Sequence, residues 1–201
     1  MSARNVRIVF CVVAAAALAG CGGGGGSGAD TQSSSSAVSD EVQSNTTNKA
    51  HPTTIMVDGC AVEEYQAAML EYVNAARSKA RSCGSEDFPP APPVQYSCAI
   101  QGAATEHSQD MATNNFFSHT GSDGLRVGDR VTATGYDWSV VGENIAAGYD
   151  QVDGVMKAWL ESPGHCRNIM DARFQEFAVK RVDTTTADYP NYWTQVFADP
   201  R

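Results

Sequence analysis

The chain has 201 residues, 42% of them hydrophobic, and a formal net charge of −9. That length holds one domain with a proper core plus additional segments. An acidic chain without a basic patch argues against nucleic acid as a partner and against electrostatic docking on anionic lipid.

Arg4 and Arg7 precede an apolar run from Ile8 to Leu18. The run is too short to span a bilayer comfortably, so residues 1–20 read as a signal peptide. It ends in Leu18-Ala19-Gly20-Cys21, which looks like a bacterial lipobox and makes Cys21 the expected site of lipidation. The expected location is the cell envelope, with the lipid anchor as the link to the membrane. Gly22 lacks the aspartate associated with inner-membrane retention, which favours the outer membrane where a host has one. Residues 21–58 are rich in Gly, Ser, Thr, Asn and Gln. Such a stretch buries too little surface to offset ordering and reads as a flexible tether.

The folded domain is expected over 59–201. Glu63 to Ser82 carries Tyr65, Met69, Tyr72, Val73 and Ala76 at helical spacing, with Gly84 as the stop. Phe88-Pro89-Pro90-Ala91-Pro92-Pro93 cannot be helical and reads as a stiff extended connector. Ser97 to about Asn115 is a second helix, and His107 falls on its apolar stripe, as a core histidine rather than a ligand. Phe116 to Gly124 is a loop, with Phe116 and Phe117 holding His119 against the core. Leu125 to Ala133 reads as a short helix with Asp129 and Arg130 exposed. Trp138 to Ala147 is a strand, and Asp150 is placed to cap the next helix. Val152, Val155, Met156, Trp159 and Leu160 form that helix's apolar face, and Pro163-Gly164 ends it. A short helix is expected to restart over Cys166 to Met170. The chain closes with a hairpin. Phe177 to Val182 is one strand, and Tyr192 to Ala198 alternates with Trp193, Gln195 and Phe197 on one side. Helices first and antiparallel strands later give an α+β class.

Cys60, Cys83, Cys98 and Cys166 remain once the leader and Cys21 are set aside. An even number in an exported domain suggests two disulfides, with three connectivities open. The expected pairing is Cys83–Cys98 across the proline connector and Cys60–Cys166, one short loop and one long. No C-x2-C pair is present, so a thiolate zinc site is not expected.

His119, Glu143 and His165 carry the chemistry. Each stands among glycines beside apolar segments. Two imidazoles and a carboxylate can hold Zn²⁺ or another divalent cation with an open position, or act as acid and base without a metal. There is no HExxH and no GxSxG. Ser118 beside His119 and Ser162 near His165 have no identifiable orienting acid. A third reading leaves all three residues purely structural.

Phe116-Phe117-Ser118-His119-Thr120-Gly121-Ser122-Asp123-Gly124, Gly142-Glu143-Asn144-Ile145-Ala146-Ala147-Gly148, Trp159 followed by Ser162-Pro163-Gly164-His165-Cys166-Arg167-Asn168-Ile169-Met170, and the terminal Tyr192 to Ala198 come in an order and spacing that carry a resemblance. Over Cys60 to Ala198 the sequence resembles the CAP superfamily of cysteine-rich secretory, antigen 5 and pathogenesis-related proteins, in its bacterial secreted branch. The resemblance implies a three-layer α–β–α sandwich with a mainly antiparallel central sheet. It also implies a cleft with two histidines, matched by His119 and His165, and two acids, the first matched by Glu143. Some relatives hold a metal there. The second acid has no clean match. Glu161 stands two residues after Trp159 rather than three, bacterial relatives often lack an acid there, and Glu176 is the alternative. Relatives are linked to sterol or lipid binding, to contact with other cells and to proteolysis. The resemblance therefore implies a binding module for a lipid, glycan, peptide or protein ligand, with a peptidase-like hydrolase as the alternative. It does not specify an oligomeric state.

Overall fold

A computed structural model describes residues 53–201. The expected leader (1–20), the expected lipidation site Cys21 and residues 21–52 of the expected tether lie outside the described residues. The first described element is β1 (Thr54–Val57), upstream of the expected domain start at residue 59, paired antiparallel with β2 (Cys60–Glu63). The two residues between them, Asp58 and Gly59, both have positive φ (49° and 82°), the turn that Asp-Gly favours in a tight hairpin.

Helix α1 (Glu64–Arg77) begins where the Gln66 side chain turns back to accept the Glu63 N–H at 2.8 Å. It buries Met69, Val73 and Ala76 and ends five residues before the expected Ser82. The residues beyond it form a small hairpin, β3 (Arg81–Cys83) with β4 (Glu86–Phe88), and Gly84 belongs to its turn. The proline run is extended and leads to the two-residue strand β5 (Gln95–Tyr96). Next come α2 (Cys98–Asn114), α3 (Val127–Ala133) and β6 (Trp138–Ala147). Helix α4 (Val152–Glu161) is followed after one residue by α5 (Pro163–Met170). Pro163 therefore starts a helix, at the first-turn position where its missing N–H costs nothing. Asp150 does not cap α4. Gln151 holds the cap position, and the Asp150 carboxylate accepts from Asn191 at 3.2 Å. Strands β7 (Glu176–Asp183) and β8 (Asn191–Pro200) complete the chain.

The main sheet has the order β5-β7-β8-β6, antiparallel except for the short β5–β7 pair. Strand β8 is central, and Asn191 to Ala198 are all buried, so its alternation separates two covered faces rather than core from solvent. Trp193 meets Tyr65 of α1 edge-on at 5.5 Å, and Gln195 reaches Met156 of α4. On the opposite face Thr194 accepts from Ser108 of α2 at 2.8 Å. Helices α1, α4 and α5 thus form one layer and α2 with α3 the other, giving the α–β–α sandwich. Gly142 of β6 allows this packing, since a Cβ there would come within 2.7 Å of the Phe174 ring.

Helix side chains bond to β6 and to the part of β7 that runs beyond the two-residue β5. On β7 the Val179 carbonyl accepts from Gln66 at 2.6 Å, and the Arg181 N–H donates to the Tyr65 hydroxyl at 3.1 Å. On β6 the Glu143 carbonyl accepts from Asn168 at 2.9 Å and the Ile145 carbonyl from the Trp159 indole at 3.1 Å. These bonds satisfy backbone groups that a bare edge would offer to another chain.

The disulfides are Cys60–Cys98 and Cys83–Cys166, not the expected pairs, with Cα–Cα distances of 5.4 and 5.5 Å. The proline connector explains the difference. A stiff extended run holds its ends apart, so Cys83 stays beside α5 while Cys98 is delivered to β2.

Arg77 ties the connector down from the other side. Fully buried, it donates to the carbonyls of Pro92 (2.7 Å), Ile169 (2.8 Å), Asp171 (2.9 Å) and Phe174 (3.0 Å). Burial pulls its guanidinium below the ordinary arginine value, so it is retained for its fork of donors. Arg77→Ala is expected to destabilise the domain by about 3–5 kcal/mol, and Arg77→Lys to recover less than half of that. Urea midpoints at constant m-value measure both. A loss below about 1 kcal/mol in Arg77→Ala would contradict the role assigned.

Candidate functional site

Glu143 lies on β6 with 6% of its surface exposed. Its Oε2 accepts from the Arg130 guanidinium at 2.7 Å, and its Oε1 accepts from His119 Nδ1 at 2.7 Å. A carboxylate can only accept, so His119 Nδ1 carries a proton, and in the neutral imidazole Nε2 is then the acceptor. The His119 side chain is 56% exposed.

Arg130 was expected on the surface and is instead buried. Its Nη1 and Nη2 also donate to the Leu125 carbonyl at 2.8 Å and the His119 carbonyl at 3.3 Å, while its buried Nε has no partner among the described residues. One guanidinium thus neutralises Glu143 and bonds two carbonyls of the loop that carries His119. Asp110 holds the middle, accepting the Ser122 N–H at 2.8 Å and hydroxyl at 2.6 Å. These bonds hold the Asp110 carboxyl below its ordinary value against the opposing effect of partial burial. The signal for Arg130 is in the sequence: Val127, Arg130 and Val131 stand at helical spacing, and Val131 is core.

His107 is a core histidine, as expected, yet it belongs to this cluster. Its Nε2 lies 2.9 Å from the Ser118 carbonyl and 3.9 Å from Glu143 Oε1. The carbonyl can only accept, so Nε2 carries the proton, and the buried Nδ1 has no partner. Burial holds its pKa below the ordinary histidine value, more strongly than Glu143 raises it. Phe116 packs with Met111, Ile145 and Tyr192, as expected. Phe117 does not hold the loop: it is 49% exposed and turns toward Tyr189, at 6.3 Å.

His165 stands in the first turn of α5. The Asn144 amide, on the other face of β6 from Glu143, donates to its carbonyl at 3.2 Å. Asn144 is fixed in turn by Gln195 at 2.8 Å and Asn168 at 2.9 Å. The His165 ring has no hydrogen-bonded partner among the described residues. Burial and then the nearby His119 hold its pKa below the ordinary value. The structure therefore bonds His119 to Glu143 and brings His165 within electrostatic reach of His119.

The remaining acids do not join them. Glu161 has a 68% exposed side chain and lies 3.9 Å from Lys157. Glu176 sits beside Tyr136, where burial and that carboxylate raise the phenol's pKa. Each Glu143 oxygen already accepts one hydrogen bond, from His119 and from Arg130. No group of three His, Cys, Asp or Glu is arranged for a metal ion among the described residues. As placed among the described residues, His119, His165 and Glu143 are not gathered into one three-ligand centre.

Beside His165 opens a cavity of about 340 Å³, floored by residues 145–147 of β6. Trp159, Ser162 and His165 line it, and Phe117, Tyr149 and Tyr189 form its rim, 49%, 36% and 45% exposed. No charged side chain lines it.

Two measurements probe the network. Removing one partner of a buried ion pair strands the other charge, so Arg130→Met is expected to cost about 3–5 kcal/mol. Arg130→Met/Glu143→Leu is expected to recover most of that loss, and a double variant no more stable than the single one would contradict the pairing. His107 gives a pH signature. Its folded pKa is depressed, so its contribution is complete above the unfolded value of about 6.5 and falls as the pH drops below it, by up to about 1.4 kcal/mol per pH unit. His107→Gln is expected to flatten the stability profile between about pH 6.5 and 4.5. Parallel wild-type and variant profiles would contradict this.

Comparison with known proteins agrees with this architecture. The model of the cysteine-rich secretory protein (CAP) family matches residues 70–197. The uncharacterised protein YkwD of Bacillus subtilis is 30% identical over 158 residues, 76% of this chain and 56% of YkwD. An extracellular SCP-domain protein from Bacillus anthracis superposes with a TM-score of 0.56 at 26% identity, over 67% of this chain and 40% of that one. An outer surface protein of Borrelia burgdorferi shares the fold with a TM-score of 0.55 at 17% identity, over 75% of this chain and 100% of that one. The chain thus spans little more than half of YkwD and less than half of the Bacillus anthracis protein. With the family model covering most of the folded domain, the chain belongs to the cysteine-rich secretory protein (CAP) family.

Proposed function

We propose that the domain is an extracellular binding module whose ligand seat is the aromatic-rimmed groove beside His165. One observation carries this reading: exposed aromatic rings surround an uncharged cavity next to an imidazole with no protein partner. Three exposed aromatics around one opening are an unusual use of surface in a soluble domain, and apolar walls with a few convergent polar groups are what ligand pockets offer. The wall behind them is rigid, because Arg130, Asp110 and His107 each bond the 116–125 loop. The leader and the lipobox at Cys21 support export and a lipid anchor. The extracellular and outer-surface relatives support the same location. No helix among the described residues is long and apolar enough to cross a membrane.

A second reading, hydrolysis, is favoured by the Glu143–His119 pair. In the neutral imidazole it leaves Nε2 as an acceptor oriented by a carboxylate, the arrangement of a general base. Among the described residues no serine or cysteine side chain bonds to either site imidazole, so the nucleophile would be water.

A mixed small-molecule library titrated into the full chain tests both readings, with the Trp159 indole and His165 ring resonances as reporters. Ligands are expected to shift the two together, and to lose their effect in His165→Ala while its melting temperature stays within about 4 °C. Unchanged binding by a folded His165→Ala chain would overturn the binding reading. Ester or peptide turnover abolished by His119→Asn, with groove binding intact, would favour hydrolysis.

A further inference from the structure

Resting on the binding reading above, we propose that the groove's occupant is an uncharged glycan chain, its sugar rings stacked on Phe117, Tyr149 and Tyr189 and its hydroxyls bonded by His165 and Ser162.

The groove withholds charge. No Asp, Glu, Lys or Arg lines it, and Arg130 is committed to Glu143. In a chain of net charge −9, a carboxylate, phosphate or nucleic acid would meet long-range repulsion and no counter-charge. Fatty acids and anionic headgroups are disfavoured on this ground.

It also withholds backbone. An extended peptide gains affinity by adding a strand to a free sheet edge. The groove floor belongs to β6, whose outward carbonyls at Glu143 and Ile145 already accept from Asn168 and Trp159. A peptide laid there would find those two acceptors already taken.

What it offers is neutral hydrogen-bonding groups between ring faces. Among the described residues the hydroxyls of Tyr149, Ser162 and Tyr189 and the ring nitrogens of His165 have no partner. The backbone groups that fix these residues are satisfied: Asn144 bonds the His165 carbonyl, Asn191 the Tyr149 N–H and Ala158 the Ser162 N–H. An acyl chain laid across them would bury hydroxyls without partners, which is costly. A pyranose matches both features. Its C–H face meets the electron-rich face of an aromatic ring, and each hydroxyl both donates and accepts. A neutral imidazole, one donor and one acceptor, is the corresponding protein group. The cavity lies at the small end of ligand pockets, so one part of a chain would fill it while the rest runs out past the open rim.

The test uses the full chain with cellohexaose and chitohexaose as neutral glycan probes, sodium palmitate as the lipid probe and an uncharged Gly/Ala/Val octapeptide as the peptide probe. At least one oligosaccharide is expected to shift the Trp159 indole and His165 ring resonances saturably. Tyr189→Ala and Phe117→Ala, both at exposed positions, are each expected to weaken binding at least tenfold with the melting temperature unchanged. Groove shifts from palmitate or the octapeptide with none from either sugar would overturn the glycan assignment and leave the binding reading standing. Sugar binding unaffected by both aromatic variants would also overturn it, since stacking would then contribute nothing. No groove shift from any probe would remove the glycan assignment and the binding reading together.

Discussion

The site depends on one buried carboxylate. An ionised Glu143 side chain inside the domain costs several kcal/mol unless its charge is compensated, and Arg130 compensates it at 2.7 Å. That guanidinium also bonds the carbonyls of His119 and Leu125, so the group that neutralises the charge shapes the loop. The carboxylate then fixes the His119 tautomer through its other oxygen. Charge balance, loop geometry and the orientation of the His119 ring follow from one residue on β6. A protonated or amide side chain at 143 would release all three together.

The other half of the site follows from closing the sheet. Strand β6 is an edge strand ten residues long, and a bare edge of that length invites pairing with another chain. Trp159 and Asn168 take its outward carbonyls. To do so, α4 and α5 must lie against that edge, and the single residue between them places His165 beside the β6 backbone. Asn144, Gln195 and Asn168 extend the closure inward as a buried amide network that also holds the His165 carbonyl. The groove is the space left between these helices and the loops that carry Phe117 and Tyr189.

Much of this was legible in the sequence because it rests on local periodicity. The alternation of Tyr192 to Ala198 and the apolar stripe of α4 needed no knowledge of long-range contacts, whereas the grouping of His119 with Glu143 was what the family resemblance implied. What failed depended on partners distant in sequence. Arg130 reads as exposed by residue type, although its spacing from Val127 and Val131 put it on the apolar face; only a buried acid across the layer makes that position tenable. The disulfide pairing turned on how far the proline run separates its ends. Pro163 reads as a stop in isolation but as a start when a helix follows. Glu161 sits close to the expected position in sequence, yet at the end of α4 its side chain points to solvent beside Lys157.

The cleft that results is electrically quiet inside an acidic chain. Glu143 and Arg130 cancel, and burial keeps His107 and His165 from charging near neutral pH. A neutral cleft cannot select its ligand by charge, so discrimination falls to shape and to donors and acceptors left without protein partners. Unmatched polar groups reject a poorly fitting ligand more strongly than a snug apolar wall does, because an incorrect ligand buries them unsatisfied. The same neutrality bears on hydrolysis. Glu143 orients the His119 ring through Nδ1 whether or not chemistry occurs. What separates a binder from a catalyst here is whether a bound chain presents a cleavable bond within hydrogen-bond reach of the ring's Nε2, with water between them.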